Sequence, residues 1–385
     1  MKVRTVVLIL AMIVTSASLY AGEIQPIRIG ALYNRTGAMS AIDEPAVKGV
    51  RLAVQLINER GGILNGRKLE IICINTKTDL KVAAVAAKAL VPESIVAGIR
   101  YGDTDYVLAA APLFQKKGIP FITSGATDPN LPQRVGSELF MVAYGDNEQA
   151  AAMAHYAFKE LKARNIAVLT NRSAHFTRIL SKYFKQSFQA LGGKIIADLE
   201  FGKDHKEIGE LVDRIKKLSP SADAVYIAAI PPDVAPIVKP LRKVGIKVPI
   251  ISGDGFDSDL SKVLGSSKLT ENIYFTTHAF RGDDRPEVIA FVEAYKKKYG
   301  EKPNDAFAAL GFDAVNLVAA AINRAKVVDS KALTKALSET KGFKAVTGEI
   351  SYTQQNRVPT KPIAIVSFNN GKYQLVKTWK PPKAK

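Results

Sequence analysis

The side chains able to hold a metal, attack a carbonyl or cradle a phosphate are few in this sequence, and their spacing decides what chemistry is open to them. His155, His175, His205 and His278 stand far apart and none lies in an H-E-x-x-H pair, while a lone cysteine, Cys73, excludes a cysteine-rich zinc site. No G-x-S-x-G elbow surrounds Ser124, Ser173 or Ser252, so the sequence offers no hydrolase nucleophile of that kind. Between Gly30 and Gly37 there is neither the G-x-G-x-x-G spacing of a dinucleotide cradle nor the G-x-x-x-x-G-K-[ST] of a P-loop. Neither a metal nor a cofactor is expected, and no enzyme activity. What remains is dispersed polar chemistry at loops: Thr127 in Thr127-Asp128-Pro129-Asn130, which alone reads as a cap or turn residue, and Asp254 in Ser252-Gly253-Asp254-Gly255, which alone reads as an Asp-Gly turn.

Those loops lie at the ends of short β-rich runs that alternate with helical patterns. Ile27 to Tyr33 reads as a strand, and Ala46, Val50, Ala53, Val54 and Ile57 then share one face of a helix. The alternation repeats through strands at 69–74, 94–99 and 119–124, and again after Phe140 through 166–170, 195–201, 224–229 and 249–253. Two α/β units with parallel sheets of similar size and right-handed crossovers follow. From the strand Ile273 to Thr277 the pattern changes to three helical stretches with no strand between them. The tail closes on Asn369-Asn370-Gly371 between alternating apolar runs, the signature of an antiparallel hairpin.

At 385 residues the chain suits two or three domains, and 47% apolar with 23% charged residues is the balance of a soluble globular protein. Lys2 and Arg4, the apolar run Val6 to Val14 and the small residues before Ala21 read as a secretory leader spanning 1–21, since nine apolar residues are far short of the roughly 20 that a spanning helix needs. Losing Lys2 and Arg4 lowers the net charge from +18 to +16. The lysines are scattered without interleaved aromatics, so nucleic acid is not an expected partner. Cys73 sits in the run Leu69-Glu70-Ile71-Ile72-Cys73-Ile74 and reads as a small buried hydrophobe; with no cysteine near the cleavage point, the mature protein is expected to be free in the periplasm, not lipid-anchored.

Against this background several segments resemble one family. Ile27-Arg28-Ile29-Gly30-Ala31-Leu32 with Thr36-Gly37, the stretch Gly49 to Val54, and above all Ile57-Asn58-Glu59-Arg60-Gly61-Gly62-Ile63-Leu64-Asn65-Gly66 resemble the opening of the leucine/isoleucine/valine-type periplasmic binding proteins of ABC transporters. Gly118 to Thr127 and Ser252 to Phe256 resemble its two ligand loops. The resemblance implies a type I periplasmic binding fold: two parallel-sheet βα lobes, 22–143 with 277–348 and 144–276 with 349–385, joined by three crossovers hinging near Ala143, Thr277 and Gly348. It implies capture of an amino acid, branched-chain or a related small carboxylate, for delivery to a membrane permease by a protein expected to be monomeric. A secreted sensor or enzyme using the same cleft is the alternative.

Position by position, the resemblance puts Thr104, or its neighbour Asp103, where the family meets the ligand carboxylate with a hydroxyl, helped by Thr127 and the backbone of Gly125. It makes Asp254 the acid that pairs with an α-ammonium, and Phe307 an aromatic beside the ligand. The chain departs from the family at His175-Phe176 and at Ile230-Pro231-Pro232, which implies a pocket of altered shape, with His175 or Arg100 as candidates for an extra anionic group.

Overall fold

The computed structural model describes residues 25–265, 269–353 and 355–382, so the leader expected at 1–21 lies outside the described residues. The elements of the first sheet are β1 (Ile27–Tyr33), α1 (Ser40–Glu59), β2 (Leu69–Asn75), α2 (Leu80–Leu90), β3 (Ala97–Arg100), α3 (Thr104–Lys116), β4 (Phe121–Thr123), α4 (Leu131–Val135) and β5 (Leu139–Met141). There follow α5 (Asp146–Lys159), β6 (Asn165–Asn171), α6 (His175–Ala190), β7 (Lys194–Phe201), α7 (Ile208–Lys216), β8 (Ala224–Ala228), α8 (Val234–Lys243), β9 (Ile250–Ser252), α9 (Leu260–Leu264) and β10 (Ile273–Thr277). The last part holds α10 (Pro286–Tyr299), α11 (Phe307–Ala325), α12 (Ser330–Ser338), β11 (Phe343–Ala345), β12 (Gly348–Ile350), β13 (Ile363–Asn369) and β14 (Lys372–Trp379).

The first sheet has the order β2-β1-β3-β4-β5 and is parallel throughout. Helices cover both faces of its inner strands, which is why β1 and β3 are buried along nearly their whole length and read as continuous apolar runs. The second sheet runs β14-β13-β10-β9-β8-β6-β7; β13 of the tail hairpin is antiparallel to β10, and β14 runs antiparallel to β13. The sheets are therefore unequal, five strands against seven, because β10 and the hairpin both extend the second. Cys73 is half-buried on β2, an edge strand, and is not sealed in the core.

The helices α10 to α12 return to the first sheet after the chain has built most of the second. A Cβ on Gly49 of α1 would stand 1.8 Å from the Ala308 carbonyl oxygen, and one on Gly311 of α11 would stand 2.2 Å from that of Ala46. The two helices thus touch backbone to backbone, which only glycine permits at both positions. The chain passes between the sheets three times, after β5, between β10 and α10, and between β12 and β13. Gly348, near which the third hinge was placed from the sequence, pairs with Ala345 in the β11–β12 hairpin, and the chain enters the second sheet at Ile363. First and third passages are bonded together: Met141 N donates to the Arg357 carbonyl at 3.0 Å, and Tyr352 Oη donates to the Met141 carbonyl at 2.6 Å.

Candidate functional site

In an open α/β sheet, ligands lie in the crevice beyond the strand carboxyl ends. Here the carboxyl ends of both sheets face one cavity. From the first half come Met39 and Ile42 at the start of α1, the loop Tyr101-Gly102-Asp103 after β3, Gly125 to Thr127 after β4, and Phe307 opening α11. From the second come Phe176 on α6, Ile230 and Pro231 after β8, and Asp254 and Gly255 after β9. The empty space between these walls is about 380 Å³ and is partly open to solvent. The halves are in contact around it: Ala306 N donates to Asp257 Oδ2 at 3.0 Å across the cleft.

Asp254 is the acid of the second wall, only 5% exposed. Its Oδ1 accepts from Gln149 Nε2 at 2.9 Å, its Oδ2 lies 3.0 Å from His278 Nε2, and its own N–H donates to Gln149 Oε1 at 3.0 Å. Burial holds His278 below the usual histidine range, against the pull of Asp254 beside it, and the ring stacks on Tyr144 with centroids 3.8 Å apart. Around it, burial and then the Asp254 charge hold the Asp146 carboxyl well above the usual range, and burial pushes Asp257 up to about 7. These neighbours keep their protons to a higher pH than free carboxylates, and Asp254 is the acid of this cluster that lines the cavity, with a partner on each of its oxygens.

On the opposite wall, Asp103 is the N-cap residue of α3 and lines the cavity. Burial, and then the neighbouring Asp105, push its carboxyl up to about 7, against the backbone N–H groups of Thr104, Phe176 and Asp105, while its Oδ1 has no partner. Thr104 is 1% exposed and sits behind the wall, its hydroxyl also without a partner. Of the pair left open by the resemblance, Asp103 therefore faces the cavity and Thr104 does not. Thr127, Gly125, Asp254 and Phe307 meet Asp103 around the same space.

His175 is not on the wall. It opens α6, and its Nε2 lies 2.9 Å from Asp128 Oδ2 in the loop after Thr127, outside the cavity. Arg100 is fully buried behind β3, bonded weakly to the Leu32 carbonyl and Thr76 Oγ1, with its guanidinium 4.9 Å from the Tyr106 ring. Neither side chain lines the cavity.

Phe176, Ile230 and Pro231, which the family resemblance marks as changing the pocket's shape, do line the cavity; Tyr101, Gln149 and His278 are the lining or supporting residues that nothing in the sequence marks, although Tyr101 follows the end of β3 directly. Gln149 and His278 meet Asp254 from 105 and 24 positions away, and nothing local announces either.

Tyr101 forms its part of the wall only because residue 125 is glycine. Its ring packs on Phe307, centroids 5.3 Å apart, and a Cβ on Gly125 would come within 2.1 Å of that ring. In Gly125→Ala the ring must move into the cavity, and ligand affinity is expected to fall by about tenfold or more, the scale of about 1–3 kcal/mol for overpacking. Calorimetric titration of both proteins checks this; equal affinity would show that the ring is free to move elsewhere.

A family model described as periplasmic binding protein matches residues 26–372. Leu/Ile/Val-binding protein homolog 3 of Brucella melitensis is 25% identical over 347 residues, which are 90% of this chain and 92% of that protein. Among solved structures, a leucine binding protein of Thermotoga maritima has a TM-score of 0.85 at 28% identity, covering 92% of this chain and 99% of its own. A branched-chain amino acid transporter substrate binding protein of Streptococcus pneumoniae, solved in complex with isoleucine, has the same TM-score and identity over 92% of this chain and all of its own.

Proposed function

The chain belongs to the periplasmic binding proteins, with their type I α/β fold, and from that premise we propose that it captures an amino acid with an apolar side chain, or a related small carboxylate, between its lobes and hands it to an ABC transporter permease. The observation that carries this reading is one cavity built by the strand ends of both sheets, with a carboxylate held through both oxygens on one side and an apolar wall beside it. Relatives named as Leu/Ile/Val-binding proteins and the isoleucine complex support the same class of ligand.

In this reading the ligand ammonium meets Asp254. Its apolar group lies among Phe176, Ile230, Pro231 and Phe307, and its acid end meets Thr127 and the Gly125 backbone, with Asp103 alongside. The lobes follow 22–143 with 277–348 and 144–276 with 349–385, hinged near Ala143, near Thr277 and, on the third passage, between Ile350 and Ile363. Each lobe alone holds half a site, so the ligand binds the closed form far better than the open one and shifts the population towards it. The permease reads the closed face. Residues 1–21 direct export and are removed, and the mature protein works in the periplasm as a monomer.

A thermal-shift panel of the amino acids, followed by small-angle scattering with the best of them, tests this. Binding to the folded form alone raises the melting temperature, and closure lowers the radius of gyration. A panel without any shift, or a scattering profile unchanged at saturating ligand, would refute it.

A further inference from the structure

Outside the cavity, the rim of the cleft carries a second set of contacts between the two halves. Helix α6, of 16 residues, has Ala174 at its N-cap and so no side chain of its own to satisfy its first N–H groups. Carboxylates of the other half do so. His175 N donates to Asp105 Oδ2 at 3.4 Å, and the Phe176 N–H meets the Asp103 carboxyl. The His175 ring reaches Asp128 Oδ2 at 2.9 Å, an oxygen also held by Arg134 at 3.1 Å. Asp128 is 1% exposed and is fixed from its own side as well, its Oδ1 accepting from Asn130 N at 2.9 Å. Negative groups of the first half thus gather at the positive end of a second-half helix.

The contacts of His175 with Asp105 and Asp128, and of Phe176 with Asp103, join residues of different halves, so opening the cleft breaks them, whereas Arg134 and Asn130 hold Asp128 from its own side. We propose that His175, with Asp105 and Asp128, is a clasp: a positioning residue that sets how long the closed form persists, whatever solute lies inside. The inference rests on the cleft being a ligand site and deepens it, since it separates the strength of closure from the recognition of the solute. Opening trades the bonds for water at partly exposed groups, so the clasp acts as a brake on release and not as a lock; the His175 side chain keeps 21% of its surface exposed. The His175 side chain is not part of the cavity lining, so its loss leaves the choice among solutes where the walls put it.

The test compares wild type, His175→Ala and His175→Gln by stopped-flow dissociation of L-leucine and L-isoleucine. His175→Ala is expected to release both about 5- to 30-fold faster, by equal factors, the range of a charge-assisted hydrogen bond discounted for exposure. Association rates should stay within about twofold, because the open form lacks the contact. The glutamine variant, whose amide N–H reaches the same carboxylate, should recover most of the loss. Unequal factors for the two amino acids would make His175 a ligand contact and overturn the clasp, as would an unchanged dissociation rate. Failure of wild type to bind either amino acid counts against the proposed ligand class alone. The clasp is then read by the same dissociation comparison with whichever amino acid stabilises wild type most in the thermal-shift panel: faster release from the Asp105→Asn, His175→Ala double variant supports it, and an unchanged rate overturns it.

Discussion

Asp254→Ala is expected to weaken the binding of an amino acid by roughly two to four orders of magnitude, because closure buries the ligand ammonium against this carboxylate and removing one partner of a buried pair costs about 3 to 5 kcal/mol. The geometry sharpens the expectation. Gln149 and His278 each engage one carboxylate oxygen, so Asp254 is held in place before the ligand arrives. Pre-organisation of this kind puts the loss into the ligand contact and not into the ordering of a mobile side chain. Calorimetry with L-leucine and with its deaminated analogue 4-methylpentanoate measures it. The analogue, having no ammonium, should bind the variant as well as it binds wild type, or better. Stabilisation of the wild type by the deaminated acid and not by leucine would end the amino-acid reading while leaving a solute-binding protein.

The opposite wall carries the second large effect, in pH. Burial holds the Asp103 carboxyl up to about 7, so near neutrality it passes between a neutral form, which can donate to a ligand carboxylate, and an anion, which repels one. A ligand carboxylate at this end binds the protonated form, so its affinity is full below pH 7 and falls as pH rises through that value, by up to about thirtyfold at pH 8.5. Asp103→Asn keeps a donor without a titrating proton. Its affinity should be nearly flat from pH 6 to 8.5 and exceed that of wild type at the upper end; a parallel decline in both proteins would place the titrating group elsewhere. Stability follows the same sign. The unfolded chain loses this proton near pH 4 and the folded one near 7, so the folded state holds more protons in between and stability declines as pH rises through that window.

Where local pattern determines structure, the sequence was legible. The strands Ile27–Tyr33 and Ile273–Thr277 fall where their apolar runs begin and end, and Asn369-Asn370-Gly371 turns the tail hairpin. Three-residue elements such as β5, β11 and β12 carry too few side chains to show a period, and which sheet receives β10 is decided by pairing far along the chain. The same division runs through the site. Asp254, Thr127 and Gly125 sit on loops whose wording is distinctive, whereas Tyr101 is an aromatic residue of a kind that every core contains. His175 shows the limit most clearly: its position beside the cleft was evident, but its partner, Asp128, is set by how the halves meet.

The backbone contact between α1 and α11 also bears on how the chain acquires its shape. Residues 46 to 49 cannot find their final neighbours until 308 to 312 exist and have come back past the second sheet, so the first lobe cannot complete its core while the chain is emerging from the ribosome. Contacts of such sequence separation form slowly, because a long loop must close before they are rewarded. For a protein exported as proposed above, that delay would favour a leading segment still able to thread through a narrow channel, with final assembly on the far side.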